Sequence, residues 1–179
     1  MLKKILIALA VIVVVFVVVV AIQPSEFRVV RRATISAPAP AVFAQVNDFH
    51  NWEAWSPWAK RDPAATATFE GSSAGTGAIF RWAGNHEVGE GSMTITESRP
   101  SDLIRITLEF LKPFRATNTA EFTFMSEGNQ TVVTWNMVGK SNFIAKAVHL
   151  FMNIDKMVGG DFEKGLAQMK SLVEAAPKQ

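Results

Sequence analysis

The chain has 179 residues, 49% hydrophobic and 19% charged, with a formal net charge of +2, no cysteine and no tyrosine. Without cysteine there is no disulfide scaffold, thiolate metal site or cysteine nucleophile, and the apolar content excludes a disordered chain. The length suits one domain, but a mean hydropathy of +0.17 is high for a soluble one.

The excess sits at the N-terminus, where residues 5–22 are all Ile, Leu, Ala, Val or Phe. As a helix this run is about 27 Å long at 1.5 Å per residue, close to the roughly 30 Å hydrocarbon core of a bilayer. Residues 1–22 therefore read as an uncleaved membrane anchor. The alternative is a signal peptide, whose apolar part is usually about 7–15 residues. Lys3 and Lys4 favour a cytoplasmic N-terminus, so the remainder is expected on the periplasmic or extracellular side, tethered by a single pass or secreted after cleavage. Beyond the anchor, basic and acidic residues balance. The pI of about 9.0 is then no argument for nucleic acid, and no basic run interleaved with aromatics occurs.

After a short tether, 23–26, a strand is expected over Phe27–Ile35, with Val29, Ala33 and Ile35 on one face. Ser36 to Pro40 breaks it, and a short helix over 40–46 follows with Val42, Phe43 and Val46 inward. The turn-rich stretch 47–58 holds one more short helix. Turn residues then separate six strands, at about 66–70, 78–82, 87–97, 103–111, 116–125 and 131–138. Alternation gives the later strands apolar lines: Ile104, Ile106, Leu108 and Phe110; Ala120, Phe122 and Phe124; Val133, Trp135 and Met137. Arg105, Glu109, Thr119, Glu121, Thr134 and Asn136 fall on the opposite face, the mark of an antiparallel meander with one wet side. From Phe143 the apolar spacing turns helical through Ala147, Leu150, Phe151, Ile154 and Met157. A second stretch holds Phe162, Leu166, Met169 and Val173. One long C-terminal helix is expected, kinked or broken at Gly159-Gly160, with Asp161 capping the second stretch. Residues 176–179 are a tail.

This order, together with WEAWSPWAKRDP at 52–63, LKPF at 111–114, TVVTWNMVG at 131–139 and LFMNIDKMVGGDFEKGLAQMK at 150–170, resembles the SRPBCC (START-like) superfamily. The likeness covers residues 27–175 and is nearest to bacterial proteins of the polyketide cyclase/dehydrase type. It implies an α+β helix-grip fold, a curved antiparallel sheet of about seven strands wrapped on the C-terminal helix, with a cavity between them.

Expected cavity residues are Trp55, Trp58, Phe80, Trp82, Met93, Phe110, Phe122, Phe124, Trp135, Met137, Phe151 and Met157. Such aromatic and Met linings suit an apolar ligand of variable shape, although the same list also describes an ordinary filled core. Trp52, Trp55 and Trp58 either rim the cavity mouth or plug the end of the core. His86 and Glu90 are the polar cavity candidates. Arg81 and Arg105 are expected in solvent. No HExxH motif, histidine pair at metal spacing or nucleophile elbow occurs, so no metal, cofactor or catalytic residue is expected. The reading that follows is membrane-tethered binding of a hydrophobic small molecule or lipid. A polyketide cyclase/dehydratase-type enzyme and an envelope protein-interaction module are the alternatives.

Overall fold

A computed structural model describes residues 1–176; residues 177–179, within the expected tail, lie outside the described residues. The elements run α1 (Leu2–Ile22), β1 (Glu26–Ile35), α2 (Ala39–Asn47), a 3-10 turn (Phe49–Asn51), α3 (Trp52–Trp55), β2 (Thr66–Gly71), β3 (Ala78–Ala83), β4 (Glu90–Arg99), β5 (Leu103–Lys112), β6 (Ala116–Glu127), β7 (Gln130–Lys140), α4 (Phe143–His149) and α5 (Ile154–Ala175). From Ile5 onward the α1 helix is apolar all round, and it buries only Val20 against the rest of the chain. It is long and apolar enough to cross a membrane.

The strands form a single antiparallel sheet in the order β1-β7-β6-β5-β4-β3-β2. Because successive side chains alternate between faces, the register stacks the inward residues into rungs. One rung is Ile104, Phe122, Trp135 and Arg31; the next is Ile95, Ile106, Ala120, Met137 and Val29. A third runs Phe80, Met93, Leu108, Asn118, Gly139 and Phe27, and a fourth Trp82, Gly91, Phe110 and Ala116. Register shifts fall between Glu90 and Gly91 and between Ile95 and Glu97. On the outer face Arg105 joins Glu97 and Glu121, and Arg81 meets Glu70. These exposed pairs each contribute about 0–1 kcal/mol.

The α2 helix carries Pro40 in its first turn and buries Val42, Phe43 and Val46 against the sheet, as the spacing predicts. The C-terminal region departs from expectation. Its break lies at residues 150–153, not at the glycines, because Asn142 and Asn153 each cap a separate helix: they accept hydrogen bonds from the amides of Ala145 and Lys156. Gly159 and Gly160 lie inside a continuous α5. A Cβ on Gly159 would collide with the guanidinium of Arg31, so this glycine lets helix and sheet approach. Asp161 is no cap. It is buried in mid-helix, where Arg61 Nη2 donates to its Oδ1 at 2.5 Å. Phe162, Leu166, Met169 and Val173 bury against the sheet, each contributing about 1.5–3 kcal/mol.

Candidate functional site

The concave face of the sheet divides into a sealed half and an open half. In the sealed half α5 crosses β1 and packs on α2 and α3. Trp135 is its hub: Phe162 of α5 stacks on it with centroids 3.9 Å apart and planes at 6°, and Phe122 lies at 4.7 Å. Trp55 and Trp58 meet Trp135 edge-on at 5.8 and 5.9 Å, and Trp52 at 6.2 Å. Gly165 of α5 lets this contact close, since a Cβ there would stand 3.1 Å from both the Trp135 ring and Pro57. The α3 turn is tied down by its indoles, Trp52 Nε1 donating to the Val46 carbonyl and Trp55 Nε1 to that of Gln45, both at 3.0 Å. Trp52 and Trp55 therefore plug the core, while Trp58 is half-buried at its edge under Arg61.

Both ends of α5 are clamped electrostatically. Arg31 lies among the inward residues of β1. It donates to Asp155 at 2.9 and 3.0 Å and to Glu163 at 2.5 Å. Those bonds hold the Arg31 pKa above its ordinary value, and the bond from Arg31 holds the Asp155 carboxyl below the usual range. At the other end the Ser36 amide donates to Glu174 Oε1 at 2.6 Å, with Lys170 beside it at 3.1 Å. These contacts, the amide first, lower the Glu174 pKa.

The open half is the strip over β3–β5. Phe80, Met93 and Leu108 lie on one rung and Trp82 and Phe110 on the next, all half-buried. Phe80 and Trp82 stack at 6.0 Å, and Trp82 meets Phe110 edge-on at 5.9 Å. Asn118 continues the first rung on β6. It is buried, and its Oδ1 has no hydrogen-bond partner; nor has Trp135 Nε1 in the sealed half. Buried polar atoms without partners are rare in native proteins; Asn118 Oδ1 packs against Gly139, in the space a Cβ there would take, beside the Phe27 ring. Neither Asn118 nor Arg31 stands out in composition or motif. Alternation alone could have placed both Asn118 and Arg31 inward, by the same count that places Phe122 and Val29.

The expected lining residues divide accordingly. Trp55, Phe122, Phe124, Trp135 and Met137 are buried in the sealed half, and Trp58 sits at its edge. Phe80, Trp82, Met93 and Phe110 line the strip. Phe151 and Met157 do not face the interior: they are 80% and 48% exposed, because the helix break at 150–153 turns that stripe away from the sheet. His86 and Glu90 lie apart from the aromatic interior, in an open depression of about 580 Å³ at the end of the sheet with Lys112 and Pro113. Glu90 there pairs with Lys112 Nζ at 2.6 Å. A larger open groove, about 1350 Å³, separates α2 from the last turns of α5 and mixes Pro40 and Leu172 with Gln45, Glu53 and Glu174. Among the described residues no three His, Cys, Asp or Glu side chains converge as metal ligands.

A curved sheet gripping a C-terminal helix, with its inner face lined by aromatic residues, defines the class as helix-grip, α+β. The pattern of the family described as "Polyketide cyclase / dehydrase and lipid transport" matches residues 26–174, and the chain belongs to that family. A search of curated proteins finds no match. Among solved structures, protein CV1439 from Chromobacterium violaceum is 16% identical with a TM-score of 0.60, over 86% of this chain and 100% of that one. The di-domain ARO/CYC BexL from the BE-7585A biosynthetic pathway is 18% identical with a TM-score of 0.61, over 90% of this chain and 54% of its own. The Aha1 dimer from Colwellia psychrerythraea is 14% identical with a TM-score of 0.59, over 85% of this chain and 99% of that one. At these identities the likeness is one of fold.

Proposed function

We propose that this domain binds a hydrophobic small molecule or lipid on the open strip of its concave face, and that α1 holds it at a membrane. The observation that carries the reading is the strip itself. Five large apolar side chains stay half-buried on the inner face of a closed-looking fold, ending at the partnerless Asn118 Oδ1. An apolar body with one hydrogen-bonding group would bury the former on Phe80, Met93, Leu108 and Phe110. It would present the latter to Asn118, the usual division of labour in small-molecule sites.

An amide cannot transfer a proton near neutrality. Asn118 therefore suits orientation of a ligand better than acid–base chemistry, which supports binding over catalysis. The family description, which includes lipid transport, and the membrane-spanning length of α1 support a lipid or another membrane-derived molecule. A tether raises the local concentration of such a ligand at the domain. The two lysines before α1 support placing the domain on the periplasmic or extracellular side.

The test is organic extraction and mass spectrometry of the full chain purified in detergent, beside Met93→Trp, which fills the strip. A species enriched with the wild type and lost from Met93→Trp is expected, against a background of surrounding lipid common to both. Identical extracts from the two proteins would overturn the reading.

A further inference from the structure

The segment joining the sheet to α5 presents an apolar surface to the outside. Phe143, Ile144 and Val148 of α4, then Phe151 and Met152, are all exposed, Ile144 by 64%. Residues 144, 148, 151 and 152 follow helical spacing, so they share one side. This is a held surface. Asn142 caps the helix through the Ala145 amide, and His149 faces inward, with Nδ1 at 3.4 Å from Ser141 Oγ and its ring edge-on to Phe27 at 6.0 Å. Monomeric soluble proteins rarely leave a contiguous apolar patch of this kind without a use.

Its position names what covers it. Lys146 Nζ of α4 donates to the Ala21 carbonyl at 3.4 Å, and Val20 is fully buried at the same end of α1. The α4 helix thus lies against the last turn of α1, at the level where a membrane-crossing helix leaves the hydrocarbon. No acidic residue occurs from Lys140 to Ile154, whereas Lys140 and Lys146 do. A segment with an apolar side, two lysines and no acidic residue, lying beside a membrane helix, has the chemistry of an interfacial helix on an anionic bilayer. The hairpin turn between β5 and β6 is at the same end of the sheet, since its first pair, Phe110 with Ala116, is two residues from the pairing of Asn118 with Gly139, next to Phe27 and Lys140. It carries Phe114, 72% exposed.

We infer that α4 and residues 150–152 form a second membrane contact that seats this end of the domain in the headgroup region of the bilayer. It rests on the reading of α1 as a membrane anchor. Its consequence is positional: the rungs that hold Asn118, Leu108 and Phe110 lie at the end of the sheet facing the lipid, so an apolar ligand passes between bilayer and strip without crossing bulk water.

The native chain has no cysteine, so single-cysteine variants report one site each. The full chain carrying Ile144→Cys or Phe151→Cys, labelled with nitrobenzoxadiazole, is placed in nanodiscs of phosphatidylcholine and phosphatidylglycerol. Val13→Cys in α1 and Asn129→Cys in the β6–β7 turn serve as references. Blue-shifted emission at 144 and 151, quenched by shallow doxyl lipids and weakened by high salt or by leaving out phosphatidylglycerol, is the expected result, with 129 water-like and 13 quenched deeply. Water-like emission at 144 and 151 with 13 still quenched would overturn the inference and leave the anchor standing. Blue-shifted emission there without lipid quenching would overturn it in favour of a protein partner or a second copy. A water-like signal at 13 would remove the anchor and this inference together.

Discussion

The two halves of the concave face are built from the same residue types and end in different states. Under α5, Trp135 is covered on one face by Phe162 and bordered by Phe122, Trp52, Trp55 and Trp58. Over β3–β5, Phe80, Trp82, Met93, Leu108 and Phe110 keep part of their surface open. Aromatic content therefore does not distinguish the sealed half from the open one; whether a helix lies on top does. The cover follows from polar detail, since Arg31, Gly159, Gly165 and the α5 caps determine where the helix lies.

The sharpest way to break this contrast is Trp135→Ala. It removes the hub of the sealed half and should cost about 3–5 kcal/mol, read as a lower midpoint in denaturant unfolding. A cost under about 1 kcal/mol would mean that the sealed half is not the core. Leu108→Ala on the strip should cost about 1–2 kcal/mol, because a half-buried side chain loses less transfer energy, yet it should reduce recovery of the bound species. A large loss of stability with unchanged recovery would merge the two halves into one core.

The paired glycines offer a subtler test. Gly159→Ala gains helix propensity, about 1 kcal/mol, but must displace an Arg31 held by two carboxylates. Overpacking of this kind costs about 1–3 kcal/mol, so the net effect should be destabilising. Gly160→Ala meets nothing within 4 Å and should stabilise by up to about 1 kcal/mol. The same sign at both positions, in thermal melts, would contradict the close approach of α5 to β1.

The smallest effect concerns pH. Asp155 and Glu174 both have pKa values held low in the folded protein. The unfolded chain therefore binds more protons in the acid range, and stability rises with pH there. Their contribution is fully present above the ordinary carboxylate range, about pH 4, and is lost as pH falls through the depressed folded values. Asp155→Asn should make unfolding less sensitive to pH below about 4. An unchanged slope would show that the clamp on α5 is not electrostatic.

Much of this was legible in the chain. The rungs of β5, β6 and β7 follow from strict alternation, and the 4-3-4 spacing of Phe162, Leu166, Met169 and Val173 marks the face that α5 buries. Other features were not. Gly159-Gly160 is a helix breaker by propensity, but in the fold α5 runs through both, and Gly159 allows close packing on Arg31. Phe151 and Met157 fit a helical stripe in sequence; only the turn at 150–153 decides that they face outward. Asn118 and Arg31 were hidden because polar residues inside a strand look like its wet face, and only a counted register reveals otherwise.

The apolar helix, the meander β2–β7 and the face that α5 buries were set within the sequence, because hydrophobic period and turn chemistry are local properties carried by neighbouring residues. The tertiary structure alone decided which aromatics are sealed and which remain open, where α5 lies on the sheet, and which polar atoms are buried without partners. Those depend on contacts between residues about a hundred positions apart, such as Arg31 with Asp155 and Arg61 with Asp161, which no local pattern encodes.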